Sequence, residues 1–149
     1  MNTIIFVCHG NICRSPAAEY ICKDILRKRG MEKDFCILSR AVSYEEIGND
    51  IYPPMKYELD KNNIPYSRHR ASIITKDDYE KADYIFIMDQ SNLRRISYIL
   101  DDYKNIIKPI FCYTDGINEI EDPWYTGNYA LVVRQIIKCI NDILDNLGK

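Results

Sequence analysis

The stretch TIIFVCHGNICRSPAAEYI, Thr3 to Ile21, changes character twice. Thr3 to Val7 is apolar without alternation and rich in β-branched and aromatic residues, the pattern of a strand buried on both faces of a parallel sheet. A polar loop follows at once. Ser15-Pro16 then reads as an N-cap with proline at the first helical position. Ala18, Ile21, Cys22 and Ile25 recur at helical spacing, and Gly30 closes the segment. Strand, loop and helix in this order form the opening of an α/β unit.

The rest of the chain repeats the alternation. Phe35–Leu38, Tyr84–Met88 and Ile106–Cys112 read as further strands. Pro53 opens a helix to about Asn62, Thr75–Asp78 reads as a short capped turn, and Asn92–Leu100 reads as helical. Tyr113–Asn128 reads as a loop with Gly116, Pro123 and Gly127. The last helix carries an apolar stripe through Val132, Val133, Ile136, Ile140 and Leu144. The expected architecture is α/β: a three-layer sandwich with a four-stranded parallel sheet and helices on both faces. Residues 1–149 are expected to form one domain. In such sheets ligands sit beyond the carboxyl ends of the strands, so the loop after the first strand is the first place to look.

Composition narrows the function classes. A net charge of −2 gives no general attraction to nucleic acid or to anionic membranes. The apolar run Ile4–Cys8 is too short for a signal-peptide core or a membrane span, so a cytoplasmic location is expected. The six cysteines include no Cys-x-x-Cys pair, and the only histidines are His9 and His69, which argues against a structural zinc site. Cys22, Cys36, Cys112 and Cys139 read as small buried hydrophobes. No metal or cofactor is expected.

Chemistry concentrates between Cys8 and Ser15. Such a loop, leaving a buried strand and entering a helix, turns its N–H groups into an anion-binding nest aided by the helix dipole. Gly10 and Asn11 tolerate unusual backbone angles. Arg14 can offer two parallel donors to two phosphate oxygens, a fit lysine cannot copy. Cysteines activated by such fields titrate at about 3.5–7.5 instead of about 8.5, and Cys8 is expected to be a nucleophilic thiolate. A second centre lies at Asp122, where Pro123 restricts the preceding backbone and Trp124 and Tyr125 supply aromatic walls. A carboxylic acid placed there could serve as a general acid.

These residues resemble the signature of the low-molecular-weight protein tyrosine phosphatases. The likeness runs from VCHGNICRSPAAE through Ser39, Glu46-Ile47-Gly48-Asn49, His69, Thr75-Lys76, Asp83-Tyr84-Ile85, Met88-Asp89, Asn92-Leu93 and Asp122-Pro123-Trp124-Tyr125. The resemblance implies a phosphocysteine intermediate on Cys8, phosphate binding by Arg14, and Asp122 as general acid and then base. It implies that His9, Gly10, Asn11, Ile12, Cys13, Ser15, Trp124 and Tyr125 form the substrate site, with Ser15 donating to the Cys8 thiolate. Asn11 would brace the loop with Ser39 and His69 as partners, and Asp89 would be structural. Cys13 matches a family cysteine that traps oxidised Cys8 as a reversible disulfide; the alternative is a bystander packed under the loop. Phosphotyrosine-containing proteins are the implied partners, with a tyrosine kinase as a further candidate.

Two other activities on this fold are less well matched. A thioredoxin-coupled arsenate reductase needs two further cysteines after the third strand, and Ala82–Leu93 has none. Phosphoarginine phosphatases carry threonine where Ile12 stands, and Ile12 offers an apolar wall to a phenyl ring instead. Loss of Cys8, Arg14 or Asp122 would have marked a non-catalytic phosphate-binding module. Three positions depart from the family. His9 replaces an apolar or small residue and would add positive potential at the loop rim. Ser72 replaces a common arginine. Arg40 replaces a small residue beside Ser39, with consequences for packing of the second strand.

Overall fold

A computed structural model of the chain describes residues 1–147. Four strands, β1 (Asn2–Cys8), β2 (Phe35–Ala41), β3 (Tyr84–Ile87) and β4 (Ile107–Pro109), form one sheet in the order β2-β1-β3-β4. All three pairings are parallel. The helices are α1 (Arg14–Lys28), α2 (Pro53–Lys61), α3 (Lys76–Lys81), α4 (Gln90–Ser97), α5 (Pro123–Thr126) and α6 (Tyr129–Leu147).

Period-two alternation along β1 divides the core. Ile4, Phe6 and Cys8 pack with α1, α2 and α6, while Ile5 and Val7 face the other way onto Tyr79 of α3 and Ile96 of α4. Phe86 joins the first cluster and Ile85 and Ile87 the second, so the sheet has a core on each face and the three-layer expectation holds. Ile4, Ile5 and Val7 are fully buried, each stabilising the fold by about 1.5–3 kcal/mol on transfer from water.

Local chemistry moves several boundaries. α1 begins at Arg14 and its N-cap, Cys13, makes no side-chain cap bond. The expected Ser15 cap is not formed because that hydroxyl turns toward Cys8. Thr75 and Asp78 do form a capping box on α3, and Asp89 and Asn92 form another that starts α4 earlier than expected. β4 stops at Pro109, where the chain lacks an N–H for the ladder and turns, with Cys112 N–H donating to the Pro109 carbonyl. Cys112 is consequently exposed and Cys36 only partly buried, against expectation, whereas Cys22 and Cys139 are buried as expected. Among the described residues no helix is long and apolar enough to cross a membrane.

The order β2-β1-β3-β4 places the topological switch between β1 and β3. Cys8 ends β1, and Met88 follows β3. The Met88 carbonyl accepts from Ile120 N–H, bringing the segment before Asp122 to the same sheet edge.

Candidate active site

The loop from Cys8 to Ser15 is fixed from outside by its carbonyls. The Cys8 carbonyl accepts from Val42 N–H, the His9 carbonyl from Val42 and Ser43, the Ile12 carbonyl from Tyr52 and the Cys13 carbonyl from Ala17. The Asn11 carbonyl lies 2.7 Å from His69 Nε2. Among the described residues no peptide is cis. In a planar trans peptide, C=O and N–H point in opposite directions, so each carbonyl turned toward the surrounding protein turns the next amide inward. The amides of His9, Gly10, Ile12, Cys13 and Arg14 are thereby directed to the concave side, the arrangement that binds an anion.

Asn11 holds this shape. Its φ of 62° is left-handed, a conformation asparagine tolerates better than most residues. It is fully buried; its Nδ2 donates to Ser15 Oγ at 2.7 Å and its Oδ1 accepts from Ser72 N–H at 3.1 Å. Gly10 does not adopt a positive φ. Its role is steric: a Cβ there would stand 3.3 Å from Glu46 Cγ, tighter than ordinary contact. Ser39 is not a partner of Asn11, in contrast to expectation. Its hydroxyl donates to Glu19 Oε1 at 2.6 Å and ties β2 to α1 instead.

Cys8 is 3 % exposed, with its Sγ 3.0 Å from Ser15 Oγ and 3.4 Å from Ser15 N. Ser15 Oγ accepts from Asn11 Nδ2, and its one hydrogen has two acceptors within reach, the Cys8 sulfur at 3.0 Å and the Arg40 carbonyl at 3.4 Å.

Arg14 is 2 % exposed, and its Nη1 donates to Asp89 Oδ2 at 2.6 Å and to the Ile120 carbonyl at 2.8 Å. Burial opposes its charge, but the Cys8 sulfur and the carboxylates of Asp89 and Asp122 outweigh that and hold its pKa above the ordinary arginine value. With Nη1 committed to the protein, the Nε–Nη2 edge is left to grip an oxyanion through two donors. Sequence reasoning made Asp89 structural; it is the anchor that aims this guanidinium. Its place at the carboxyl end of β3 was the available signal.

Asp122 caps α5, with Oδ1 accepting from Trp124 N–H at 3.0 Å. Its other oxygen, Oδ2, lies 3.5 Å from Arg14 Nη2. One oxygen is thus fixed by the cap, and the other faces the Arg14 guanidinium and the cavity.

Cys8, His9, Gly10, Ile12, Cys13, Arg14, Asp122, Trp124 and Tyr125 line one cavity of about 120 Å³, together with Glu45 and Glu46. Neither glutamate was expected at the cavity: Glu46 belongs to the matched stretch Glu46-Ile47-Gly48-Asn49 but carried no assigned role, and nothing in the pattern marks Glu45. His9 Nε2 sits 3.2 Å from Glu45 Oε2, so any imidazolium charge faces a carboxylate and the added positive potential expected at the rim is offset. Arg40 points away from the cavity and pairs with Asp78 at 3.0 Å. Cys13 is buried and not disulfide-bonded. Burial pushes its thiol well above the usual range, and the neighbouring Cys8 and Asp122 charges add to this. Among the described residues no group of three or more histidine, cysteine or carboxylate side chains is gathered to hold a metal ion.

Comparison with known proteins bears on the whole chain. The family model described as low molecular weight phosphotyrosine protein phosphatase matches residues 3–149. The chain is 36% identical to the low molecular weight phosphotyrosine protein phosphatase of Gallus gallus, covering 97% of this chain and 95% of that protein. It is 33% identical to the protein of the same name from Homo sapiens, over 96% and 94% of the two chains. The crystal structure of YfkJ from Bacillus subtilis superposes with a TM-score of 0.94 at 29% identity, over 99% of this chain and 95% of that one. With a match of this extent laid over a cysteine–arginine loop at the sheet edge, the chain belongs to the low molecular weight phosphotyrosine protein phosphatases and is a hydrolase.

Proposed function

We propose that this enzyme hydrolyses phosphotyrosine in proteins through a phosphocysteine on Cys8, with Arg14 binding the phosphoryl group and Asp122 moving the proton. The observation that carries the reading is convergence: Cys8, Arg14 and Asp122 come from separate elements and line one cavity. The relatives' names, which specify phosphotyrosine proteins, support the substrate class.

In the first step the Cys8 thiolate attacks phosphorus in line with the phenolic oxygen. The P–O bond breaks as the S–P bond forms, and Asp122 Oδ2 gives its proton to the leaving phenolate. The inward amides and the Nε–Nη2 edge of Arg14 stabilise the charge on the equatorial oxygens. In the second step Asp122, now a carboxylate, takes a proton from water. That water attacks phosphorus, the S–P bond breaks, and inorganic phosphate leaves with Cys8 restored as thiolate. The Ser15 hydroxyl donates to the sulfur each time it is an anion. Trp124, Tyr125 and Ile12 form a slot for the flat ring, which favours an aryl ester over a phosphorylated alcohol.

The test is a parallel assay on phosphotyrosine, phosphoserine and phosphoarginine peptides, with Cys8→Ser as control. Turnover of phosphotyrosine alone, abolished in Cys8→Ser while vanadate still binds, is the expected result. Preferential release of phosphate from phosphoarginine would overturn the substrate assignment, and residual turnover in Cys8→Ser would overturn the mechanism.

A further inference from the structure

The acid-bearing segment stands on an aromatic contact that the mechanism does not use. Trp124, two residues after Asp122, is 50 % exposed, and its ring centroid lies 4.7 Å from that of Tyr52 at an interplanar angle of 50°. Tyr52 is itself pinned. Its N–H donates to the Ile12 carbonyl at 2.9 Å, inside the phosphate loop. It occupies the N-cap position of α2, and Pro53 and Pro54 follow, which restricts its backbone to extended angles. Its ring is half-buried against the main core, 6.4 Å from the ring of Tyr129, whose hydroxyl faces the Cys13 thiol.

Tyr52 therefore touches the nucleophile's loop through its backbone and the acid's helix through its ring. α5 has only four residues, too few to hold a fixed position by its own hydrogen bonds. We infer that Tyr52 is a positioning residue: its ring seats Trp124 and thereby sets the distance from Asp122 to the sulfur of Cys8. This rests on the reading of Asp122 as general acid. An aromatic pair of this kind shifts an equilibrium by about 2- to 12-fold, which bounds the effect on the population of acid-ready enzyme.

The experiment measures kcat/KM for phenyl phosphate and 2,4-dinitrophenyl phosphate in Tyr52→Ala and Tyr52→Phe, alone and combined with Asp122→Ala. Only the poorer leaving group needs the acid. Tyr52→Ala should lower kcat/KM for phenyl phosphate about 3- to 10-fold more than for the dinitrophenyl ester. Tyr52→Phe should restore it, and inhibition by inorganic phosphate should change less than about twofold. In the Asp122→Ala background Tyr52→Ala should add no further loss. The chain has one tryptophan, so intrinsic fluorescence reads Trp124 directly. Its emission should move to the red, with easier acrylamide quenching, in Tyr52→Ala but not in Tyr52→Phe. Equal losses on both esters, weakened phosphate inhibition, an unchanged Trp124 emission, or a full effect in the absence of Asp122 would each overturn the proposal. Unchanged kcat/KM for phenyl phosphate in Asp122→Ala alone would show separately that the acid assignment had failed, and would overturn the positioning role with it.

Discussion

The phosphate loop and the acid loop face the same cavity but are built in opposite ways. Asn11 and Ser15 are fully buried and Arg14 is 2 % exposed, whereas Trp124 is 50 % and Tyr125 83 % exposed. Five carbonyls and three polar side chains fix the first loop from the surrounding protein. The acid loop is held by the Ile120 backbone, the exposed bonds of Glu119 to Gln90 and Glu121 to Asn128, the Asp122 cap and its Arg14 contact, and the Tyr52 ring. The difference follows from what each must do. Charge stabilisation works best when dipoles are oriented before the substrate arrives, since reorienting them costs energy at the moment of reaction. A proton donor, the role proposed for Asp122, needs only to reach one oxygen.

The sharpest way to break this contrast is Asp122→Ala. It should lower kcat/KM for phenyl phosphate by about 10²–10⁴-fold while stability falls by no more than the loss of one helix cap, about 0.5–2 kcal/mol. Near-normal kcat would remove Asp122 from the chemistry, and a large loss of stability would place it in the rigid half. Arg14→Lys keeps the charge but loses the planar fork and the fit to Asp89 and Ile120. A loss of about 10²–10³-fold in kcat/KM together with a lower melting temperature is expected. If activity falls while the melting temperature holds, the loop's rigidity does not depend on that anchor.

Asn11→Ala removes two buried hydrogen bonds and places a Cβ-bearing residue without a compensating side chain at φ 62°. Destabilisation of about 2–4 kcal/mol is expected, with Asn11→Gly milder because it relieves the backbone and loses only the bonds. Equal costs in the two variants would mean that the backbone angle contributes nothing. The smallest effect concerns Asp50, which accepts from the backbone of His69 and Ile51 and from Lys56. Burial is the largest single influence and raises its pKa, but those donors together outweigh it and pull the group from 3.8 down to about 2. A depressed carboxyl stabilises the fold above its unfolded value and loses that contribution as pH falls through the folded one. Stability should therefore decline between pH 3.8 and about 2 more steeply in the unaltered protein than in Asp50→Asn, read by thermal melting. Parallel slopes would detach Asp50 from the His69 support of the loop.

Residue type made both loops legible. Thr3–Val7 announced a doubly buried strand because its apolar run does not alternate, and Cys8, Arg14 and Asp122 carried their chemistry in residue type and in the Asp-Pro step. What escaped were relations between distant segments. Glu45 and Glu46 reach the cavity only because the loop after β2 folds back over Gly10. Ser39 was paired with the wrong partner because Glu19 on α1 is nearer to it, a fact of helix packing with no local pattern. The Ser15 cap failed for a related reason: a hydroxyl suited to a helix start was drawn to the sulfur instead. Cys112 read as core because Ile106–Cys112 looks like a full strand, and Pro109 ended it after three residues.

The position of β1 inside the sheet has a consequence for how the molecule fails. β1 is bonded along both sides, to β2 and to β3, so Cys8, the proposed nucleophile, sits at the end of the strand that local opening exposes last. The acid segment has no strand neighbour and should exchange its amide hydrogens in partial openings that leave the sheet intact. On the proposed mechanism, mild heat or denaturant would then silence the enzyme by loosening Asp122 while the loop around Cys8 stays assembled, a reversible loss that needs no refolding to repair.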